Sequence, residues 1–329
     1  MAEKTSSFNQ SDDSSTAAGQ TASKAEIYRE WIDIAILTPI RVAWDDWRTQ
    51  TGSIIILFYV LLGTVGVVLV EAPNQGQGDR YTQPFQDWSV PLGTNNLGES
   101  LLSSTVHATP PMLQMIAAGA VFSTAIATVV GTVSGYKGGA IDRLLTTLTD
   151  IAMTIPGLPL IILLAAVFEP TNPAVIGILI TINAWAGLAR SIRSQVLSLR
   201  DHSYVEASRI MGASTRRILQ DDILPNIMPY VLINFVNSAR NVIFGSVALY
   251  YLGILGGVHE NWGIMLNGAY NDGAIYALEF IYWLLIPMIA IIGISFGFVL
   301  FAQGTEKLFN PRIRARHAET VEDDAPYQE

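Results

Sequence analysis

Cysteine is missing from all 329 residues, so no disulfide framework, thiolate metal site or cysteine nucleophile is open to this chain. Charge is scarce: Asp, Glu, Lys and Arg make up 14% of the sequence, against about 25% in soluble globular proteins. Half of the residues are hydrophobic, and that balance belongs in a bilayer. Histidine occurs only as His107, His202, His259 and His317. They are scattered, with no i, i+4 pair, so no metal site is expected. A G-x-x-x-x-G-K-[ST] run is also missing, and with it the usual phosphate loop for ATP. No cofactor is expected in this chain.

What charge there is has an informative distribution. The formal net charge is −9, and much of it sits at the ends. Glu3, Asp12, Asp13, Glu26 and Glu30 outnumber Lys4, Lys24 and Arg29; Glu319, Glu322, Asp323, Asp324 and Glu329 have no basic residue among them. Acidic tails on a near-neutral body argue against nucleic acid as a partner and suit a high-salt cytoplasm. Residues 1–24, rich in Ser, Thr, Gln and Ala, are expected to be disordered and have no signal-peptide core. Residues 25–52 mix Tyr28, Trp31, Trp44 and Trp47 with Arg29, Arg41 and Arg48, the composition of a segment at a membrane interface.

Six apolar runs follow, expected as spans at about 53–70, 112–136, 144–168, 174–189, 230–255 and 280–302. The second is rich in Gly and Ala, which lets helix backbones approach closely in lipid. Pro156 and Pro159 break the third. A polar connection occupies 71–111, and a Gly- and Asn-rich re-entry or external loop 256–279. Gly293-Ile294-Ser295-Phe296-Gly297 fits the G-x-S-x-G pattern but lies inside the sixth run. Gly293 and Gly297 also form a G-x-x-x-G pair, so packing is the expected role over that of an intramembrane serine protease. Of the 19 Lys and Arg residues, all but Arg80 and Arg240 fall on one side of this arrangement. The positive-inside rule puts that side, with both termini, in the cytoplasm.

The cytoplasmic connection between the fourth and fifth runs is unlike the rest. Ser203 followed by Glu206 reads as a capping box opening a short helix, with Val205, Ile210 and Met211 as its apolar positions. Gly212 can end that helix. Ser214 can cap a second through Ile218, Leu219 and Ile223, until Pro225 and Pro229 forbid a regular ladder. Such an elbow can dock into a groove on a soluble partner; equally, Glu206 can simply cap a helix.

The residues Glu206-Ala207-Ser208, then Gly212, Ala213 and Ser214, then Leu224-Pro225, resemble the EAA loop of ABC-importer permeases. The flanking run from Ala189 to Arg209 is similar to that family's AR-x-x-R…LSLRE-x-x-YV-x-A-A-R. Further likenesses are Leu92–Ser104 to LGTDxxGRDxLSR, with departures at Asn95, Glu99, Ser100 and Ser104; Gly135–Gly139 with Asp142 to GYxGGxxDxxxMR; and Glu306, Leu308, Asn310 and Pro311 to the D-x-L-x-x-x-x-D-P close. The resemblance covers about residues 92–311 and is strongest for the C-type permeases of dipeptide and oligopeptide importers.

It implies an all-α MetI-like integral membrane fold with about six transmembrane helices and a coupling loop 200–225; together with the composition of the ends, the expected organisation is an interfacial segment 25–52, a permease domain 53–311 and an acidic cytoplasmic tail 312–329. It further implies a second homologous permease subunit, two cytoplasmic ATPase subunits supplying ATP and Mg, an extracytoplasmic binding protein, and lipid around the spans. The chain itself would not be an enzyme. Di- or oligopeptides are the expected cargo; similar permeases carry nickel chelates or oligosaccharides. An ATP-independent secondary transporter is the rival class, and apart from Arg240 the chain lacks the mid-membrane ionisable residues such proteins use. Asn234, Asn237 and Asn241 share one helical face beside Arg240, a candidate lining for the path.

Overall fold

The computed structural model describes residues 44, 46–256 and 260–308, with side chains through Thr305. The expectations for 1–43, for His259 and for the tail 312–329 lie outside the described residues, as do Asn310 and Pro311. Among the described residues every regular element is helical, apart from one isolated bridge between Thr94 and Ser100. Four helices are long and apolar enough to cross a membrane: α1 (Trp47–Leu69), α2 (Leu101–Lys137), α8 (Thr215–Tyr251) and α10 (Ile281–Leu308). Two bent pairs raise the number to six. In the first, α3 (Gly139–Thr154) meets α4 (Gly157–Phe168) at 82°; in the second, α5 (Pro173–Ile180) meets α6 (Trp185–Leu199) at 60°. Between α6 and α8 lies α7 (Ser203–Ile210), and between α8 and α10 lies α9 (Trp262–Asn271).

Each expected apolar run has its counterpart, but the bounds differ for local reasons. The first helix starts at Trp47, because Asp46 accepts a hydrogen bond from the Arg48 amide at 2.8 Å and caps it. Residues 47–52, expected in the interfacial segment, are thus already helical. The second begins at Leu101, well before 112, with Pro110 and Pro111 inside it. Ser100 caps this helix, and the hydroxyls of Thr105 and Thr109 bond back to carbonyls one turn earlier. Pro156 does break the third run, whereas Pro159 fits in the first turn of α4, where no amide partner is lost. The fourth run is itself broken, at 181–184, and its second half continues to Leu199 through Arg190 and Arg193.

The stretch read as a loop at 256–279 contains α9. Asn261 caps it by accepting from the Gly263 amide at 2.7 Å, and Trp262 is fully buried with its indole N–H donating to the Thr105 carbonyl. Tyr59 packs edge-on against Trp262 and donates to the Ala290 carbonyl at 2.8 Å, so α1, α9 and α10 meet there.

Small residues set the helix contacts, as lipid gives apolar faces no drive to associate. The most extensive contacts are α2 with α6, α1 with α10 and α2 with α5. A side chain at Gly131 would stand 2.6 Å from the Ala189 carbonyl, and one at Gly177 would collide with the Met115 carbonyl. Gly293 and Gly297 lie against Tyr59 and Ile55 of α1, the packing role expected of that pair.

Candidate coupling site

The elbow is built from α7, a glycine turn and the first turns of α8. Ser203 is the first residue of α7 rather than its cap; extended His202 holds the cap position without a side-chain bond, so the expected Ser203–Glu206 capping box does not form. At the other end the helix closes in a Schellman motif. The Ala213 amide donates to the Ser208 carbonyl at 3.0 Å and the Gly212 amide to the Arg209 carbonyl at 3.1 Å. Gly212 takes φ +79°, a left-handed conformation that glycine adopts without strain. Ser214 then caps α8 through the Arg217 amide, as expected.

The second helix does not stop at Pro225 or Pro229. It runs on as α8, so the elbow and the fifth span are one 37-residue helix. A π-helical segment, Ile218–Ile223, directly precedes Leu224 and Pro225. Its wider turn accommodates a proline ring that a regular ladder would reject, and Pro229 removes one further hydrogen bond without ending the helix.

The three apolar positions of α7 divide. Val205 is fully buried with Ile218, Ile223 and Ile227 of α8, Ile192 and Val196 of α6, and Ala127 of α2. Ile210 and Met211 are 80% and 78% exposed. Glu206, Ala207, Gly212, Ser214 and Pro225 are exposed as well, while Ser208, Ala213 and Leu224 are half-buried. One side of the elbow is therefore keyed into the bundle and the other presents an apolar tip to its surroundings. Burial, then the nearby Asp222 carboxylate, pushes the Tyr204 phenol above its ordinary value. It stays protonated beside Asn226, whose side-chain nitrogen lies 3.4 Å away.

Below the elbow two motif residues meet. Asp142 of α3 receives both Arg193 Nε and Nη2 of α6, each at 2.6 Å, in a two-pronged ion pair. Arg190 pairs with Asp150 one step along the same helices. Reading the motifs singly missed this junction; the shared signal was a lone acid in one motif and lone arginines in another.

The second group of candidates is less concentrated. Asn237 and Asn241 are exposed on α8, whereas Asn234 is half-buried and donates to the Tyr230 carbonyl at 2.8 Å. Arg240 is half-buried, and its Nε has no hydrogen-bond partner among the described residues. The structure thus gathers the elbow residues at one place and spreads the asparagines along a helix.

Comparison with known proteins agrees with this architecture. The model of the family described as "Binding-protein-dependent transport system inner membrane component" matches residues 127–315. The oligopeptide transport system permease protein OppC of Bacillus subtilis is 33% identical, over 82% of this chain and 90% of that protein. The dipeptide transport system permease protein DppC of the same species is 28% identical, over 82% and 86% respectively. OppC of Haemophilus influenzae is 33% identical, over 68% and 70%. The matched region takes in α3 to α10 and the whole elbow, and on that ground the chain belongs to the family of inner-membrane components of binding-protein-dependent transport systems, as a multi-pass permease of the cell membrane.

Proposed function

We propose that this chain is one permease subunit of an ATP-driven importer for di- or oligopeptides. It pairs with a second, homologous permease subunit; two cytoplasmic ATPases bind below, and an extracytoplasmic binding protein delivers cargo from above. The elbow and both termini face the cytoplasm, in line with the bias of basic residues. Cargo class is supported by the OppC and DppC relatives.

The observation that carries the reading is the divided elbow. Ile210 and Met211 are exposed at its tip while Val205 is fully buried in the bundle, as a lever needs: one end free to enter a groove on an ATPase, the other fixed. When the ATPases close on ATP, movement of the tip passes through the Val205 cluster to α6 and α2. It also passes along α8, which is continuous from elbow to span. The Asp142–Arg193 pair carries α3 with α6. Asn237 and Asn241 then lie on a face that moves with α8 and lines the path, with Asn234 and Arg240 at its edges. Hydrolysis itself takes place in the partner subunits.

The cysteine-free sequence makes the test direct. A single cysteine at Ala207 should cross-link to a nucleotide-hydrolysing protein, and Ile210→Glu with Met211→Glu should abolish that cross-link while the chain still inserts and folds. A cysteine at Ser214 should react with impermeant thiol reagents only after the membrane is opened. Labelling of Ser214→Cys from outside intact cells, or cross-links from Ala207→Cys that never reach an ATPase, would overturn the proposal.

A further inference from the structure

The inner side of the elbow borders an open hollow of about 500 Å³. It is lined by Tyr136 and Lys137 at the end of α2, Arg200 and Asp201 after α6, Arg209 of α7 and Thr215 at the start of α8. Three cations therefore face one carboxylate. That carboxylate is a weak counter-charge: Asp201 Oδ1 lies 3.5 Å from Arg200 Nε, and its side chain is 75% exposed. Arg200 is fixed by donating to the Gly135 carbonyl at 3.3 Å, and the Arg209 guanidinium sits over the Tyr136 ring at 5.8 Å. Neither Lys137 nor Arg209 has a carboxylate partner among the described residues.

We propose that this cavity binds a phosphate-type anion. Bringing like charges from three separate segments into one polar hollow raises their energy, and an anion between them reverses the sign of that term. Arginine forks and a lysine ammonium are suited to phosphate oxygens, and the Thr215 hydroxyl adds a neutral donor. Lys137 ends α2 and Arg200 follows α6, and a phospholipid phosphate and a free phosphate are the two sources of one chemistry that could meet them. Held by Arg209 on one side and Lys137 on the other, the anion would tie α7 to α2. The effect of that tie on transport rests on the coupling role proposed above; the binding does not.

The test uses the purified full-length chain. Native mass spectrometry would follow retention of phosphatidylglycerol against phosphatidylcholine, and calorimetry would titrate inorganic phosphate. Lys137→Ala combined with Arg209→Ala should weaken binding by at least about tenfold, since each cation donates a charge-assisted bond. Arg216→Ala, an exposed arginine outside the cavity, should leave it unchanged. Arg200 is left intact because of its bond to Gly135, and unfolding without ligand checks that the double variant folds. Binding of phosphatidylglycerol alone identifies a headgroup site; binding of inorganic phosphate as well identifies a free-anion site; either supports the proposal. It is overturned if the wild-type chain binds neither, if the double variant binds as tightly as the wild type, or if Arg216→Ala weakens binding as much as the double variant. Because no ATPase is present, a failure here is separate from a failure of Ala207→Cys to find one.

Discussion

Asp142 and Arg193 stand 51 positions apart, yet their side chains form the best-matched ion pair of the described residues, with Arg193 Nε donating to Asp142 Oδ1 and Nη2 to Oδ2. At 18% and 30% side-chain exposure, the pair is screened less than a surface bridge, and a coupling of about 1 kcal/mol is expected. A double-mutant cycle of Asp142→Asn and Arg193→Gln, read by thermal unfolding, should return that value, and Arg193→Lys should not restore it because an ammonium cannot make the fork. A second residue-scale point concerns Asn95 and Glu99. The resembled motif has Asp and Arg at these places, an opposite-charge pair. Here Asn95 Nδ2 donates to Glu99 Oε2 at 2.6 Å, while Asn95 Oδ1 accepts the Leu97 and Glu99 amides, so the two departures form one replacement. Asn95→Asp alone sets two carboxylates against each other and should speed limited proteolysis of residues 71–100; adding Glu99→Arg should reverse the effect.

Among the elements, the elbow turn depends on the left-handed backbone of Gly212. A side chain at Gly212 would meet nothing within 4 Å, but φ is +79°. Gly212→Ala should therefore cost about 1–2 kcal/mol from left-handed strain without any clash, and Gly212→Asn less, which thermal unfolding can rank. Along α8, at about 100° per residue, Asn237, Asn241, Phe244 and Ala248 fall on one exposed stripe with Arg240 at its flank. Asn237→Ala with Asn241→Ala should lower peptide uptake several-fold while assembly stays normal; unchanged uptake would remove this face from the path. These exposed amides were legible in the sequence as a helical repeat. The half-burial of Arg240, with an Nε that finds no hydrogen-bond partner among the described residues, was not legible in that repeat.

For the molecule as a whole, close helix contacts take the place that hydrophobic burial has in water. The backbones of α2 and α5 touch at Gly177, where any side chain would collide with the Met115 carbonyl. Gly177→Leu should force the helices apart at a cost of about 3 kcal/mol or more, seen as loss of folded protein in mild detergent, whereas the same change at half-buried Gly187, where a side chain would meet nothing within 4 Å, should be tolerated. The number of spans, the break at Pro156 and the small-residue faces were readable because hydropathy, proline geometry and residue size act locally. The break at 181–184 was not, since nothing in Thr181–Ala184 forbids a helix: buried Thr181 bonds to the Gly119 carbonyl of α2, a contact the chain makes only once folded.

The sequence by itself determined that this chain carries six long apolar runs, contains no G-x-x-x-x-G-K-[ST] run, and can bend at Gly212, because these follow from composition and from single-residue backbone limits. Only the tertiary structure decided that Val205 turns inward while Ile210 and Met211 turn outward, that α8 carries on through Pro225 and Pro229, and that Trp262 fills the bundle where a loop was expected. The physical reason is the same in each case: an apolar side chain or a proline has several acceptable local environments, and the choice among them is made by the neighbour that arrives from far along the chain.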